Sequence, residues 1–350
     1  MSKKRKKNQH YSGIGGQAVL EGVMMKNKDD YAVAVRKPNG EIDVDLQVYH
    51  PLLNGHKVKE IPFIRGTFNF IDSLVLGMKT INHSAKFFED EDMEPTKVDK
   101  ALDKITNGKS ESVFMAFTTV IAIAFSIALF ILLPYFISAK LAEWIRNDSL
   151  LALIEGAVRI IIFLAYIIGI SLMKDIRRLY QYHGAEHKCI NCIERGYELT
   201  VENVSRASRI HKRCGTSFMF LVIIISVILF FFIRVDNPGY RVLIRLLLIP
   251  VIAGISYEII RLAGRSDNLF INIISAPGML LQRATTKEPD KDMIEVAIKS
   301  VEAVFDWKKY LKEEFDYTDE DFLHDGEPLT DDKSFTDDEP ENGDNGDDNQ

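Results

Sequence analysis

Cysteine is scarce in this chain, and the scarcity is informative. Its 350 residues hold three, Cys189, Cys192 and Cys214, an odd number confined to one polar stretch. That excludes a disulfide-stapled scaffold and leaves metal ligands or plain buried thiols. A leader peptide is not expected either. Lys3, Lys4, Arg5, Lys6 and Lys7 would serve as a basic n-region, but no apolar run follows them. Internal repeats are absent, so a solenoid is not expected. Basic charge is in deficit over the whole chain, at a formal −7, but unevenly so. Residues 313–350 carry 17 acidic side chains against Lys333 alone, a net −16, which leaves +9 on residues 1–312 by difference from −7. The body is therefore basic, as suits a protein held against an anionic lipid face. No nucleic-acid partner is indicated.

What the sequence has in quantity is long apolar runs. A bilayer span needs about 20 mostly apolar residues in a helix. Four stretches qualify, about 113–137, 150–173, 217–234 and 242–262, the first interrupted only by Pro134 near its end. The third, from Phe218 to Ile233, is nearly unbroken Phe, Ile, Leu and Val, with no polar stripe of the kind a soluble core helix shows. The lipid bilayer is thus the first partner implied, and the fold class is mostly α: a polytopic membrane protein with four transmembrane helices. Orientation follows from basic residues. The connection 174–216 has nine Lys or Arg, whereas the other two connections hold Lys140 with Arg146, and Arg234 with Arg241. Adding the basic start of the chain, and Arg261 with Arg265, both termini and the central connection are expected in the cytoplasm.

The remaining segments divide as follows. Residues 1–12 form a basic arm. Residues 13–61 read as a small β unit: Tyr31 to Lys37 is β-branched, Pro38-Asn39-Gly40 is a turn, and Ile42, Val44, Leu46 and Val48 share one strand face. The glycines of Gly13-Ile14-Gly15-Gly16 match a dinucleotide fingerprint only loosely, since no strand precedes them and no βαβ unit follows; they are expected to serve a tight turn. Residues 62–90 contain an amphipathic, interfacial helix. The membrane domain covers 113–262, with 174–216 as a polar loop. In 263–312, the stretch 269–281 is too short to cross and contains Pro277, and 290–312 reads as an amphipathic helix begun by Pro289 and Asp290. The acidic 313–350 has too little apolar surface to fold.

The central loop carries the chemistry. Six of the chain's eleven His and Cys residues lie within the 32 residues from His183 to Cys214, where even scatter would place about one. Two motifs compete. His183-Gly184-Ala185-Glu186-His187 is the inverted zinc-peptidase spacing, which on a helix points two imidazoles and a general-base carboxylate the same way. Cys189-x-x-Cys192 with His211-x-x-Cys214 has the character of a closed structural zinc site. Gly184 weighs against a regular helix. A short helix capped by Thr200 and stopped by Gly215 would put His211 and Cys214 on one face. A catalytic zinc would then take His183, His187 and one of His211, Cys192 or Cys214. The bland alternative is a hydrogen-bonded polar loop with buried thiols. Within the spans, Glu155 and Arg159 form an i,i+4 pair that Arg245 can share, a structural clamp. Glu258, Gln17 and Glu21 are secondary candidates for the metal pocket, with a plain ion pair to Arg261 as the simpler role of Glu258.

Four segments, His183 to Lys188, HKRCGTSF from His211, GGQAVLEGVMM from Gly15 and SYEIIRLAGR from Ser256, together resemble the YqhQ-like family of bacterial membrane proteins. The resemblance covers about residues 10–305. It implies a bacterial plasma-membrane protein whose domain has no established function and is often labelled a metal-dependent enzyme. It implies His183, Glu186, His187, His211 and Cys214 as the positions to carry over; Cys189 departs from the pattern, which speaks against a Cys₃His site. The expected activity is metal-assisted hydrolysis, with a divalent ion, zinc by ligand type, and a membrane-associated or cytosolic substrate. The rivals are a non-enzymatic assembly or scaffold factor with a structural metal, and a transporter. The transporter is disfavoured by the few charged or broken positions in the spans.

Overall fold

The computed structural model describes residues 9–52, 57, 61–88, 110–233, 235, 237–263 and 268–322. The amino-terminal unit is a four-stranded antiparallel meander: β1 (Gly15–Val19), β2 (Gly22–Asn27), β3 (Asp30–Arg36) and β4 (Ile42–Val48), in that spatial order. Alternation along the strands sends Val23, Met25 and Ala34 to one face and Val19, Met24, Tyr31, Val33 and Val35 to the other. The expected turn at Pro38-Asn39-Gly40 joins β3 to β4, with Gly40 at φ 89°. The glycines, however, do not form a tight turn. Gly15 and Gly16 open edge strand β1, and a Cβ on Gly16 would lie 3.0 Å from Glu186 Cγ. Gly16 is small because strand β2 and a helix crowd it, with Met24 O only 2.5 Å from the same Cβ position, whereas Gly15 has open space.

Among the described residues there are twelve α-helices, eleven of them after residue 109. The first, α1 (Ile64–Ala85), covers the Val19–Tyr31 face of the sheet through Leu76. Its inward side is polar or small, with Asp72, Gly77, Thr80 and Ser84 buried. Ile71, Leu74, Val75, Met78 and Ile81 face outward and are exposed. Next come α2 (Ser110–Ile127), a π-helical stretch at 128–132, and α3 (Leu133–Leu141). Then follow α4 (Asp148–Ser171), α5 (Lys174–Glu194), α6 (Val201–Arg206) and α7 (Gly215–Phe232). The chain continues through α8 (Pro238–Leu247), α9 (Ile249–Ala263), α10 (Leu269–Thr285), α11 (Lys291–Val304) and α12 (Trp307–Phe315).

Four helical stretches are long and apolar enough to cross a membrane: 116–141, 149–171, 215–232 and 239–263. They coincide with the four apolar runs of the sequence. Close crossings depend on missing side chains. A Cβ on Gly66 of α1 would lie 3.0 Å from Gly254 Cα of α9, and one on Gly278 of α10 would lie 2.8 Å from Ser217 Cβ of α7. Through that contact 269–285 packs along the third of these stretches.

Two expectations about chain organisation are corrected. The polar stretch 174–216 is not a loop for most of its length but α5 and α6. And the acidic segment does not part from the body at residue 313: α12 runs to Phe315, and Tyr317 and Phe322 pack against the core. The Tyr317 hydroxyl donates to Gly196 O at 3.0 Å, and Phe322 stacks on Tyr317 and meets Trp307 edge-on. These ring contacts bury enough apolar area to outweigh the acidic surroundings. The rest of the tail lies outside the described residues, as does the basic run Lys3–Lys7. The double variant Tyr317→Ala, Phe322→Ala is expected to cost about 2 kcal/mol. A melting temperature equal to that of the unaltered chain would show that this packing contributes nothing.

Candidate metal centre

The site is built on α5, whose residues from Gly184 to Glu194 are all buried. Gly184 does not break this helix. A Cβ there would overlap Lys287 O, so glycine is what lets the 287–289 segment cross the helix surface. The i, i+3, i+4 spacing then does what helical geometry dictates, setting His183, Glu186 and His187 on one side. The Thr200 cap is present, accepting from Asn203 N, but its helix ends at Arg206. Gly215 is not a stop; it opens the third span, and Cys214 is that helix's N-cap, its Sγ accepting from Thr216 N. Cys214 thus reaches the site from a helix start instead of sharing a helical face with His211.

One nitrogen of each of His183 and His187, together with Cys214 Sγ, lie within 4.8 Å of one another. His183 Nε2 is 3.3 Å from Sγ. The other ring nitrogens are engaged from behind: His183 Nδ1 is 3.0 Å from Thr285 O and His187 Nδ1 is 2.6 Å from Arg209 O. A proton on each Nδ1 bonds to a carbonyl and turns each Nε2 toward the sulfur, the arrangement that orients histidines for metal ligation. Glu186 Oε2 lies 3.8 Å from His183 Nε2 and 3.9 Å from His187 Nε2, in a side chain that is 5% exposed. Burial opposes charge on both partners of the Cys214–His183 pair, yet their mutual attraction wins. The Cys214 thiol is held well below its ordinary value, with His187 contributing, and His183 is raised to about 9.

The other sequence candidates fall elsewhere. Cys192 is fully buried under α5 with Sγ 3.4 Å from Glu198 O, and Cys189 is in the same core, where burial pushes its thiol up. A closed Cys₃His site is therefore not formed. His211 stands one step back, its ring 5.7 Å from that of His187 and its Nε2 3.6 Å from Glu194 Oε2. Gln17 donates to Gly77 O and Thr80 Oγ1 and ties β1 to α1. Glu21 forms a two-pronged pair with Arg178 at the β1–β2 turn. Glu258 accepts from Arg65 Nε at 2.6 Å and Nη2 at 2.5 Å, locking α9 to α1; its partner is Arg65, not the expected Arg261. All three are structural ties, and neither Glu21 nor Glu258 lines the cavity described next.

His183, Glu186, His187 and Cys214 open onto a cavity of about 520 Å³. Its far walls are Gly13 to Gly16 at β1, Asn69 and Ser73 of α1, and Tyr257 of α9, so sheet, surface helix and fourth span all contribute. Sequence reading missed the residues that hold the site in place. Gln282 is the foremost: it accepts from His211 N and donates to His211 O and Ser217 Oγ, all between 2.7 and 2.8 Å. An amide side chain directly after the apolar run Met279–Leu281 was the available signal.

Glu194 is the other. It is 2% exposed and accepts from Ser12 N, Ser12 Oγ and Arg213 Nη2. Burial opposes its ionisation, but His211, Arg213 and Ser12 together hold its carboxyl at about 2, below the ordinary 4.5. A depressed carboxyl contributes stability that is present above pH 4.5 and is lost as pH falls toward 2. The contribution is about 3 kcal/mol at neutral pH. Glu194→Gln is expected to lower stability at pH 7 and flatten its decline between pH 4.5 and 2. An acid profile parallel to that of the unaltered chain would show that Glu194 is not the titrating group.

Comparison with known proteins returns no solved structure that matches. The uncharacterized protein YqhQ of Bacillus subtilis (strain 168) is 37% identical over 294 residues, spanning 82% of this chain and 90% of that protein. A family model described as a protein of unknown function matches residues 61–307, which include every span and the whole His/Cys cluster. By both measures, the chain belongs to that family, DUF1385.

Proposed function

We propose that this chain is a membrane metalloprotein that uses a divalent ion, zinc by its donor set, for hydrolysis. The observation that carries the reading is the convergence of two oriented imidazoles and a thiolate-prone sulfur beside a buried carboxylate, all facing one cavity. Two nitrogens and a sulfur are borderline-soft donors of the type zinc accepts, and three protein ligands leave a coordination position open. In this reading His183, His187 and Cys214 hold the ion, with Thr285 O and Arg209 O fixing the two rings. When bound, the ion would supply Lewis acidity toward a carbonyl or phosphoryl oxygen and acidify water. Glu186, with no Lys or Arg bonded to it among the described residues, serves as the base that accepts a proton from the attacking water. Asn69, Ser73 and Tyr257 across the cavity are placed to orient a substrate. Because the cavity is walled partly by the fourth span and α1, a membrane-associated substrate suits it best.

The topology is part of the same proposal: the site faces the cytoplasm, as do both termini. Cysteines placed at Asn147 and Asn237 are expected to react with impermeant reagents in intact cells, while Cys214 is reached only after lysis. The opposite pattern would reverse the orientation.

The chemistry is tested by separating ligands from base. Purified protein is expected to contain one metal ion per chain by elemental analysis. His187→Ala and Cys214→Ser are each expected to weaken metal affinity by about 10–100-fold or more. Glu186→Gln keeps the shape of the side chain but cannot take a proton, so metal should remain while cellular complementation fails, with a rate loss of roughly 10²–10⁴. Normal complementation by Glu186→Gln would favour a structural ion in an assembly factor. Absence of metal from the unaltered protein, or full occupancy in both ligand variants, would end the metalloenzyme reading.

A further inference from the structure

A second charged cluster lies at the end of the helix bundle away from His183 and Cys214. Glu155 and Arg159 on α4 meet Arg245 on α8, with Arg241 one turn earlier. Arg159 is fully engaged: Nη2 donates to Glu155 at 3.0 Å, Nη1 to Ser226 Oγ at 3.1 Å, and Nε to Phe130 O at 3.0 Å. Arg159 thus ties α4 to the π-helical stretch and to α7, a clear structural role. Arg245 is different. Its Nη2 donates to Glu155 Oε2 at 2.9 Å, but Nη1, 2.7 Å from Oε1, makes no well-directed hydrogen bond and is buried. Arg241 uses Nε on Val235 O, and the Tyr135 ring lies 5.7 Å from its guanidinium and 5.4 Å from that of Arg245.

Among the described residues, charge does not balance here. Arg159 and Arg245 share the single carboxylate of Glu155 and are only 3% and 5% exposed, and Arg241 lines the same cavity. An excess positive charge in a low-dielectric bundle is costly unless an anion answers it. Space for one exists: a cavity of about 130 Å³ lined by Glu155, Arg241, Arg245 and Ser138. Such a volume holds about four waters or one tetrahedral oxyanion. The Arg fork is matched to phosphate oxygens. The depth also fits a lipid phosphate, because Trp144 and Tyr240 at this end of the bundle are 86% and 63% exposed, as aromatic residues at a membrane–water boundary are.

We propose that this cavity binds a phosphate oxyanion, gripped by Arg241 and Arg245, with a phospholipid headgroup or free phosphate as its source. The probes are dioctanoyl-phosphatidylglycerol, inorganic phosphate and phosphate-free dioctanoylglycerol, added to full-length protein in a maltoside detergent without phosphate. Melting temperature and native mass spectrometry are the readouts. Phosphatidylglycerol is expected to raise the melting temperature saturably and to be retained one per chain, while dioctanoylglycerol does neither. Inorganic phosphate acting at the same concentration would assign the site to the free ion; acting only at far higher concentration, or not at all, it would assign it to lipid. Arg241→Gln, outside the Glu155–Arg159 core, should raise the half-saturating concentration at least tenfold. The pair Glu155→Gln, Arg245→Gln should do the same with no lone carboxylate left behind. Equal stabilisation by dioctanoylglycerol, or unchanged binding in Arg241→Gln, would overturn the site.

Discussion

The candidate site depends on one set of interactions, the buried polar side chains that α5 presents to the segment 205–213. His187 Nδ1 bonds Arg209 O, Lys188 Nζ bonds Ser205 O, and Asn191 Nδ2 bonds both Ser208 O and Ile210 O. Glu194 ends the series on Arg213. These positions fall on successive turns of one helix, so the end of α6 and the irregular backbone that follows it are pinned along about two turns of α5. Each such group would cost about 1–3 kcal/mol if left buried without its partner. The segment therefore has essentially one path across the helix, and that path delivers Cys214 to the two histidines.

The same need to satisfy buried polar groups explains how the sheet, surface helix and spans are joined. Glu258 and Arg65 bind α9 to α1 at the point where Gly66 and Gly254 let the backbones approach. Gln17 and Thr80 bind β1 to α1, and Gln282 binds α10 to the start of the third span. Apolar faces supply most of the burial energy, but they are non-directional. The directional bonds set register. Among the four long apolar helices the Glu155–Arg159–Arg245 network plays that role, and the Phe130 carbonyl is drawn into it.

Much of this was legible in the residues, and the parts that were not share a cause. The β unit was read from Tyr31–Lys37 and the alternation of Ile42 to Val48, but Val44, Leu46 and Val48 turn out to be exposed on the outermost strand. Alternation reports that a strand has two faces, not which of them is covered. Propensity, a local quantity, makes Gly184 weaken a helix, whereas the glycine answers a crossing by Lys287, about 100 residues away. The same local view makes Gly16 a turn residue, whereas Glu186 packs close to it. The acidic composition after Glu313 concealed Tyr317 and Phe322, whose packing partners are Gly196 and Trp307.

By itself the sequence determined four helices long and apolar enough to span a membrane, because the thickness of hydrocarbon sets a length and polarity that any sufficiently apolar run either meets or does not. It also determined that chemistry would concentrate between His183 and Cys214, and that His183, Glu186 and His187 would lie together once helical, since i, i+3, i+4 spacing is a property of the helix alone. Only the tertiary structure decided which sulfur joins them. Cys192 sits five residues from His187 yet points into the core beneath α5, and Cys214, 27 residues away, comes within reach. Ligand convergence requires a closed path of backbone through space, and that path is set by the partners of Lys188, Asn191, Glu194 and Gln282, not by the spacing of the ligands along the chain.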